Sequence, residues 1–170
     1  KAPDPPVLQA IPGNGKVTLY WDDSAEKSVD KYMGEVTNGV DLHDFEGYKI
    51  YRATDFEFND AYTITDGDGN LTFLEPYSQK GQKAQWDIID GKSGWHPVDL
   101  NGIKFYLGDD TGLEHSYVDE NVVNGQRYYY AVVSYDYGGD LTNNIIPSDS
   151  PMKLRVNSLT GTVEMGAKCG

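Results

Sequence analysis

Gln126–Asp136 reads QRYYYAVVSYD and is the longest β-favouring run in the chain. Aromatic and β-branched side chains suit a pleated surface. Successive side chains of a strand point to opposite faces, so Tyr128, Tyr130 and Val132 share one face. Tyr129, Ala131, Val133 and Tyr135 share the other. Just upstream, Val122-Val123-Asn124-Gly125 marks a chain reversal, with Gly125 suited to a positive φ. Downstream, Tyr137 to Asn144 is a Gly/Asp/Asn loop. Ile145 to Val156 continues extended through Pro147 and Pro151, and proline in a strand points to an edge or a bulge. A turn at Thr160-Gly161 leaves Thr162–Met165 as a last strand candidate.

Two earlier stretches share the period of two. In Lys16–Trp21 (KVTLYW), Val17, Leu19 and Trp21 oppose Lys16, Thr18 and Tyr20. In Gly47–Ala53 (GYKIYRA), Tyr48, Ile50 and Arg52 oppose Lys49 and Tyr51. Val7 to Ile11 is a short apolar run ended by Pro12-Gly13-Asn14-Gly15. Asp22 to Glu46 is acidic and irregular and reads as a long loop, with a short helical turn near Ala25 to Tyr32. Between Phe56 and Asp110, apolar runs at Tyr62–Ile64, Leu71–Leu74, Trp86–Ile89 and Ile103–Leu107 alternate with Asp/Gly/Asn turns and read as extra hairpin strands. His115 to Val118 is a further short strand. No helical period is sustained and no long repeat is visible. With 13 Tyr against 5 Phe and 3 Trp, the expected class is all-β, closing into a sandwich.

Four pieces, in order, resemble a fibronectin type III domain, an immunoglobulin-like β-sandwich. Pro6-Val7-Leu8 and Val17-Thr18-Leu19-Tyr20-Trp21 look like its first two strands, with Trp21 as core tryptophan. Gly47-Tyr48-Lys49-Ile50-Tyr51-Arg52 looks like strand C. Val122-Val123-Asn124-Gly125-Gln126-Arg127-Tyr128 is similar to the family's Leu-x-Pro-Gly-x-x-Tyr before strand F, with Val122 for Leu and Asn124 for Pro. Pro147-Ser148 with Pro151-Met152-Lys153-Leu154 is similar to strand G. The resemblance implies a tyrosine corner at Tyr128, its hydroxyl reaching an upstream backbone group, and Trp21 covering Tyr130, Val132 and Ile50. It also implies one domain over 1–170: a core at about 5–53 and 113–157, an insertion at about 54–112 and an extension at 158–170. A plain sandwich of this type has about 100 residues, so the insertion is the main departure. Its style resembles modules of bacterial secreted or surface proteins.

Fourteen Lys plus Arg against 27 Asp plus Glu give a net charge of −13, which argues against nucleic acid and anionic membranes as partners. No stretch has the roughly 18 apolar residues of a membrane helix. The chain starts at Lys1 without a signal peptide and reads as a processed chain or an excised piece. Its one cysteine, Cys169, excludes an intrachain disulfide.

Asp66-Gly67-Asp68-Gly69-Asn70 sets three oxygen-bearing side chains at alternating positions, a spacing hard cations use. Asp66, Asp68 and Asn70 are therefore the candidate calcium ligands, and calcium is the one cofactor suggested. The loop departs from an EF-hand: Leu71 stands where glycine would follow, and Tyr77 stands at the twelfth position. A plain Asp/Gly hairpin turn explains the same residues. Asp109-Asp110, and Asp136 with Asp140 and Asn143, are weaker acidic groupings. His43, His96 and His115 lack zinc spacing. Asp90-Gly91-Lys92-Ser93-Gly94 contains Gly-Lys-Ser, but Trp86 stands where a P-loop needs glycine. No G-x-S-x-G is present. The chain is thus expected not to be an enzyme.

Trp86 and Trp95, in the insertion, are the candidate platform for a glycan; packing of the insertion onto the sandwich is the other reading. The expected function is an extracellular structural or adhesive module of a secreted or cell-surface protein, with protein partners or self-association into a filament through its extended ends. The alternative is a glycan-binding accessory module of a secreted hydrolase.

Overall fold

The computed structural model describes residues 2–29, 44–66, 68–100, 102–139, 145–157 and 166–168. The architecture is all-β. In chain order the strands are β1 (Leu8–Gly13), β2 (Lys16–Trp21), β3 (Phe45–Ala53), β4 (Tyr62–Thr65), β5 (Leu71–Leu74), β6 (Ser78–Gln79) and β7 (Gln82–Lys83). They continue with β8 (Gln85–Asp87), β9 (Trp95–Leu100), β10 (Ile103–Tyr106), β11 (Ser116–Asp119), β12 (Tyr128–Asp136), β13 (Met152–Asn157) and β14 (Gly166–Lys168). Short 3-10 turns lie at Ser24–Lys27 and Asn59–Ala61. Among the described residues no helix is long and apolar enough to cross a membrane.

A three-stranded sheet has the order β1-β2-β11, and a five-stranded sheet the order β14-β13-β12-β3-β8. Every pairing is antiparallel. β12, the strand read first in the sequence, is central: it pairs with β3 from Tyr129↔Ala53 to Asp136↔Phe45 and with β13 from Tyr128↔Asn157. Three two-stranded hairpins, β4–β5, β6–β7 and β9–β10, lie between β3 and β11 in the chain.

The two sheets meet across one apolar cluster. Leu8 and Ala10 of β1 and Val17, Leu19 and Trp21 of β2 join Tyr48 and Ile50 of β3 and Tyr128, Tyr130 and Val132 of β12. This arrangement is compatible with a β-sandwich. Trp21 sits in the cluster as expected, its ring 6.0 Å from Tyr48 and 5.5 Å from Trp86. Gly125 has φ +88°, a backbone state costly for a residue with a Cβ. The turn it makes brings the Tyr128 hydroxyl to the Val123 amide, which donates to it at 2.8 Å.

A buried carboxylate ties the sheets together. Asp119 of β11 is fully buried. It accepts from the Arg52 guanidinium of β3 at 2.9 Å and from the Tyr130 hydroxyl of β12 at 2.7 Å. It also accepts from the Tyr77 hydroxyl at 2.9 Å and the Asn121 amide at 3.0 Å. Arg52 lies over the rings of Tyr77 and Tyr128, at 4.1 and 5.1 Å. A carboxylate can leave water in this way because one opposite charge and four donors compensate its lost hydration.

The structure differs from the sequence reading in several places. β3 begins at Phe45, two residues early, and a register shift between Tyr135 and Asp136 accommodates the extra length. The turn foreseen at Ala25 to Tyr32 is one 3-10 turn, Ser24–Lys27, with residues 30–32 outside the described residues. β6 and β7 were not foreseen, being entirely polar; they close around Lys80 and Gly81, both with positive φ. β9 was not foreseen either, because Pro97 interrupts it, yet it buries His96 and Val98 in alternation with the exposed Trp95 and Pro97. The strand expected at Thr162–Met165, Cys169, His43, Asp140 and Asn143 lie outside the described residues.

Replacing Asp119 by Ala takes the carboxylate from the partly buried Arg52 and the acceptor from the buried Tyr130 hydroxyl, and is expected to cost about 3–5 kcal/mol. Tyr128→Phe, which loses one bond, is expected to cost about 1 kcal/mol. Urea unfolding followed by tryptophan fluorescence measures both. Equal losses in the two variants would contradict the role given to Asp119.

Candidate functional site

The outer face of the five-stranded sheet, opposite the core, does not meet open solvent. Tyr51, Ala53, Ala131, Val133 and Met152 on that face form a second apolar cluster with Phe58 and Ala61, which follow β3 in the chain. Beside this cluster two hairpins rise as walls and leave a groove of about 690 Å³. One wall is β4–β5, with Tyr62, Ile64, Phe73 and Leu74. The other is β9–β10, with Trp95, Leu100, Ile103, Phe105 and Tyr106. The floor holds Lys49, Tyr51, Val133 and Asp149, and the segment from Ala2 to Pro5 borders it. The walls form because these short strands put apolar residues on the side that faces the sheet.

The floor carries a closed polar set. The Lys49 ammonium lies 3.0 Å from the Asp149 carboxylate, with side-chain exposures of 6% and 30%. The same ammonium sits 4.5 Å from the centre of the Tyr135 ring and 5.0 Å from that of Phe105. Aromatic faces attract a cation and replace part of its lost hydration. The Tyr51 hydroxyl donates to the other Asp149 oxygen at 3.0 Å. Burial, reinforced by the Asp149 charge, pushes the Tyr51 hydroxyl well above the usual tyrosine range, so it stays a donor. Lys83 and Lys104, both exposed, also line the groove.

A second buried polar group supports the β9–β10 wall. Asp87 is fully buried and accepts from the amides of Asp110 at 2.8 Å and Thr111 at 2.9 Å, which fixes the loop after β10. Gly108 is required there: a Cβ would lie 2.3 Å from the Asp87 carboxyl carbon, and its φ is +130°. Glu46 of β3 is also fully buried, and among the described residues neither carboxyl oxygen has a hydrogen-bond partner. Burial, with the nearby Asp90 charge adding to it, pushes the Glu46 carboxyl up to about 8. Asp136 is buried too; its carboxyl is raised to about 6 by burial, against the hydrogen bonds from Ser148.

The structure separates the residues singled out from the sequence. Trp86 is half-buried on the core side, its ring 5.5 Å from Trp21 and 5.5 Å from Tyr117. Trp95 is 62% exposed on the groove side, edge-on to Tyr106 at 5.0 Å. They do not form one platform, because Trp86 pairs with Tyr48, a residue whose side chain points into the core. Asp66, Asp68 and Asn70 make the turn between β4 and β5. Asp66 accepts from the amides of Asp68 at 3.0 Å and Asn70 at 2.9 Å, so this carboxylate closes the turn. Those bonds, the Asn70 amide first, hold the Asp66 carboxyl below its ordinary value. Among the described residues no three His, Cys, Asp or Glu side chains gather as a metal ion requires. His115 bonds Glu26 at 2.5 Å, and His96 is buried with its Nδ1 receiving the Val98 amide at 3.1 Å.

Matched against protein-family models, curated proteins and solved structures, the chain finds no counterpart.

The groove floor went unread in the sequence. One signal was present: both faces of Gln126–Asp136 are apolar or aromatic, the mark of a strand covered on both sides. Nothing local marks Lys49 or Asp149, which lie far apart in the chain and meet only in the fold.

Glu46 and Asp136 hold protons in the folded state that the unfolded chain releases near the ordinary carboxylate range. Their contribution is favourable at acid pH and is lost as pH rises through about 6 for Asp136 and about 8 for Glu46. Stability is therefore expected to fall from pH 5 to pH 9. Glu46→Gln, neutral at every pH, should flatten the slope between pH 6 and 9 and raise the melting temperature at pH 9. Parallel pH profiles of the variant and the parent would contradict this account of Glu46.

Proposed function

We propose that the chain is a non-enzymatic, secreted or cell-surface module of the fibronectin type III kind, with a structural and adhesive role and the groove as its contact surface. The groove itself carries this reading. A sandwich domain that served only as a spacer would have no use for hairpins that wall the outer face of its sheet around an apolar hollow. Sites of this kind are concave, mostly apolar and furnished with a few polar groups. Lys49, Asp149 and Tyr51 are bound to one another, which suits a rigid recognition floor better than proton transfer. The family assignment is supported by β2 lying between β1 and β11, by β12 lying between β3 and β13, and by the Tyr128 hydroxyl at the Val123 amide.

Beads coated with the protein are expected to be retained on cell-envelope and matrix-protein surfaces under flow. Phe73→Arg, which puts a charge in the β4–β5 wall, should remove most of that retention while leaving the melting temperature within a few degrees. Retention equal to the parent's, or none on any surface, would remove the adhesive reading.

One observation favours a glycan as partner: Trp95 is exposed beside the groove and backed by Tyr106, and a sugar face can stack on such a ring. A glycan array should then give hits that Trp95→Ala abolishes. An array without hits would leave the adhesive reading alone.

A further inference from the structure

We propose that the groove binds a small amphiphilic anion, with an apolar body against the hairpin walls and a carboxylate or similar end met by Lys83 and Lys104. The inference rests on the groove being the recognition surface and names the chemistry it selects. Its volume of about 690 Å³ falls within the range of small-molecule sites, roughly 300–1,000 Å³. Phe73, Leu74, Ile103 and Phe105 make walls that an apolar body would cover.

The charges decide the polarity of the ligand. Lys49 is already neutralised by Asp149 on the floor, so an anion gains nothing there and is repelled by that carboxylate. Lys83 and Lys104 differ from it. The Lys83 ammonium lies 5.1 Å over the Tyr106 ring, and among the described residues no carboxylate lies within ion-pair distance of either lysine. Asp99 faces Lys104 in the strand register, but its carboxylate takes the Gly102 amide at 3.2 Å. Elsewhere Lys27, Lys80 and Lys92 each pair with a carboxylate, as a chain of net charge −13 readily allows. Two lysines left without a carboxylate at the mouth of an apolar hollow complement a ligand with one greasy part and one negative end. A neutral apolar molecule would leave both cations unused, and a cation would face them.

Two fluorescent probes with nearly the same aromatic body isolate the charge: anionic 8-anilinonaphthalene-1-sulfonate and neutral N-phenyl-1-naphthylamine. The anionic probe is expected to saturate at one equivalent and to be displaced by decanoate at lower concentration than by decanol. Lys83→Gln with Lys104→Gln should weaken it by about tenfold, the sum of two partly exposed charge contacts. The neutral probe should be unaffected by that change. Ile103→Glu, which sets a carboxylate in the β10 wall, should abolish anionic binding with the fold intact by circular dichroism. Decanol competing as well as decanoate, or the lysine variant binding the anion like the parent, overturns the anionic specificity. Absence of saturable binding by either probe overturns the inference entirely, while the flow assay still decides the adhesive reading by itself.

Discussion

The Asp119 carboxylate holds the two sheets in register with each other. Hydrophobic contact between sheets is non-directional and tolerates sliding. Hydrogen bonds from Arg52, Tyr130, Tyr77 and the Asn121 amide do not tolerate it, because an unmet donor in a dry interior is costly. One side chain of the smaller sheet thereby fixes β3 and β12 of the larger one, together with the start of the β6–β7 hairpin. Burial, followed by the Asp119 hydrogen bond, raises the Tyr77 hydroxyl to about 12. It remains a donor under all ordinary conditions, and the network stays closed.

With β3 and β12 fixed, their outer faces are fixed as well. A sheet of this kind usually has one face in the core and one in water, and its strands alternate accordingly. Here β12 is apolar on both sides, and the segment after β3 covers part of the outer side through Phe58 and Ala61. The rest becomes the groove floor. Burying Lys49 there is tolerable only because Asp149 and two aromatic rings attend it. Glu46, near Asp87, Asp90 and Asp110, is buried with no hydrogen-bond partner for its carboxyl among the described residues. That cost is met by keeping a proton, which makes stability sensitive to pH in a protein already repelling itself through its acidic surface.

Much of the framework was legible in the chain. Alternation in Lys16–Trp21, Gly47–Ala53 and Gln126–Asp136 marks the strands because a strand half or wholly buried must repeat every second residue. Gly125 before Tyr128 marks the turn because few residues accept its backbone angles. The polar hairpin at Ser78–Lys83 left no such mark: its strands bury nothing, so their sequence is free. Trp86 and Trp95 looked equivalent as residues, yet one pairs with the inward-facing Tyr48 and the other stands on a hairpin wall. Strand register decides that difference, and it is not written in either tryptophan's neighbourhood.

The chain alone therefore determined its class, its central strands, its acidic character and the turn ahead of Tyr128, since each depends on neighbours a few residues apart. The groove, the paired floor of Lys49 and Asp149, the Asp119 tie and the stranded Glu46 came only with the folded molecule. Each joins residues from distant parts of the chain, 100 positions apart for Lys49 and Asp149 and 67 for Arg52 and Asp119. Charge pairing and desolvation act through space, and only the packed sheets bring those partners within range.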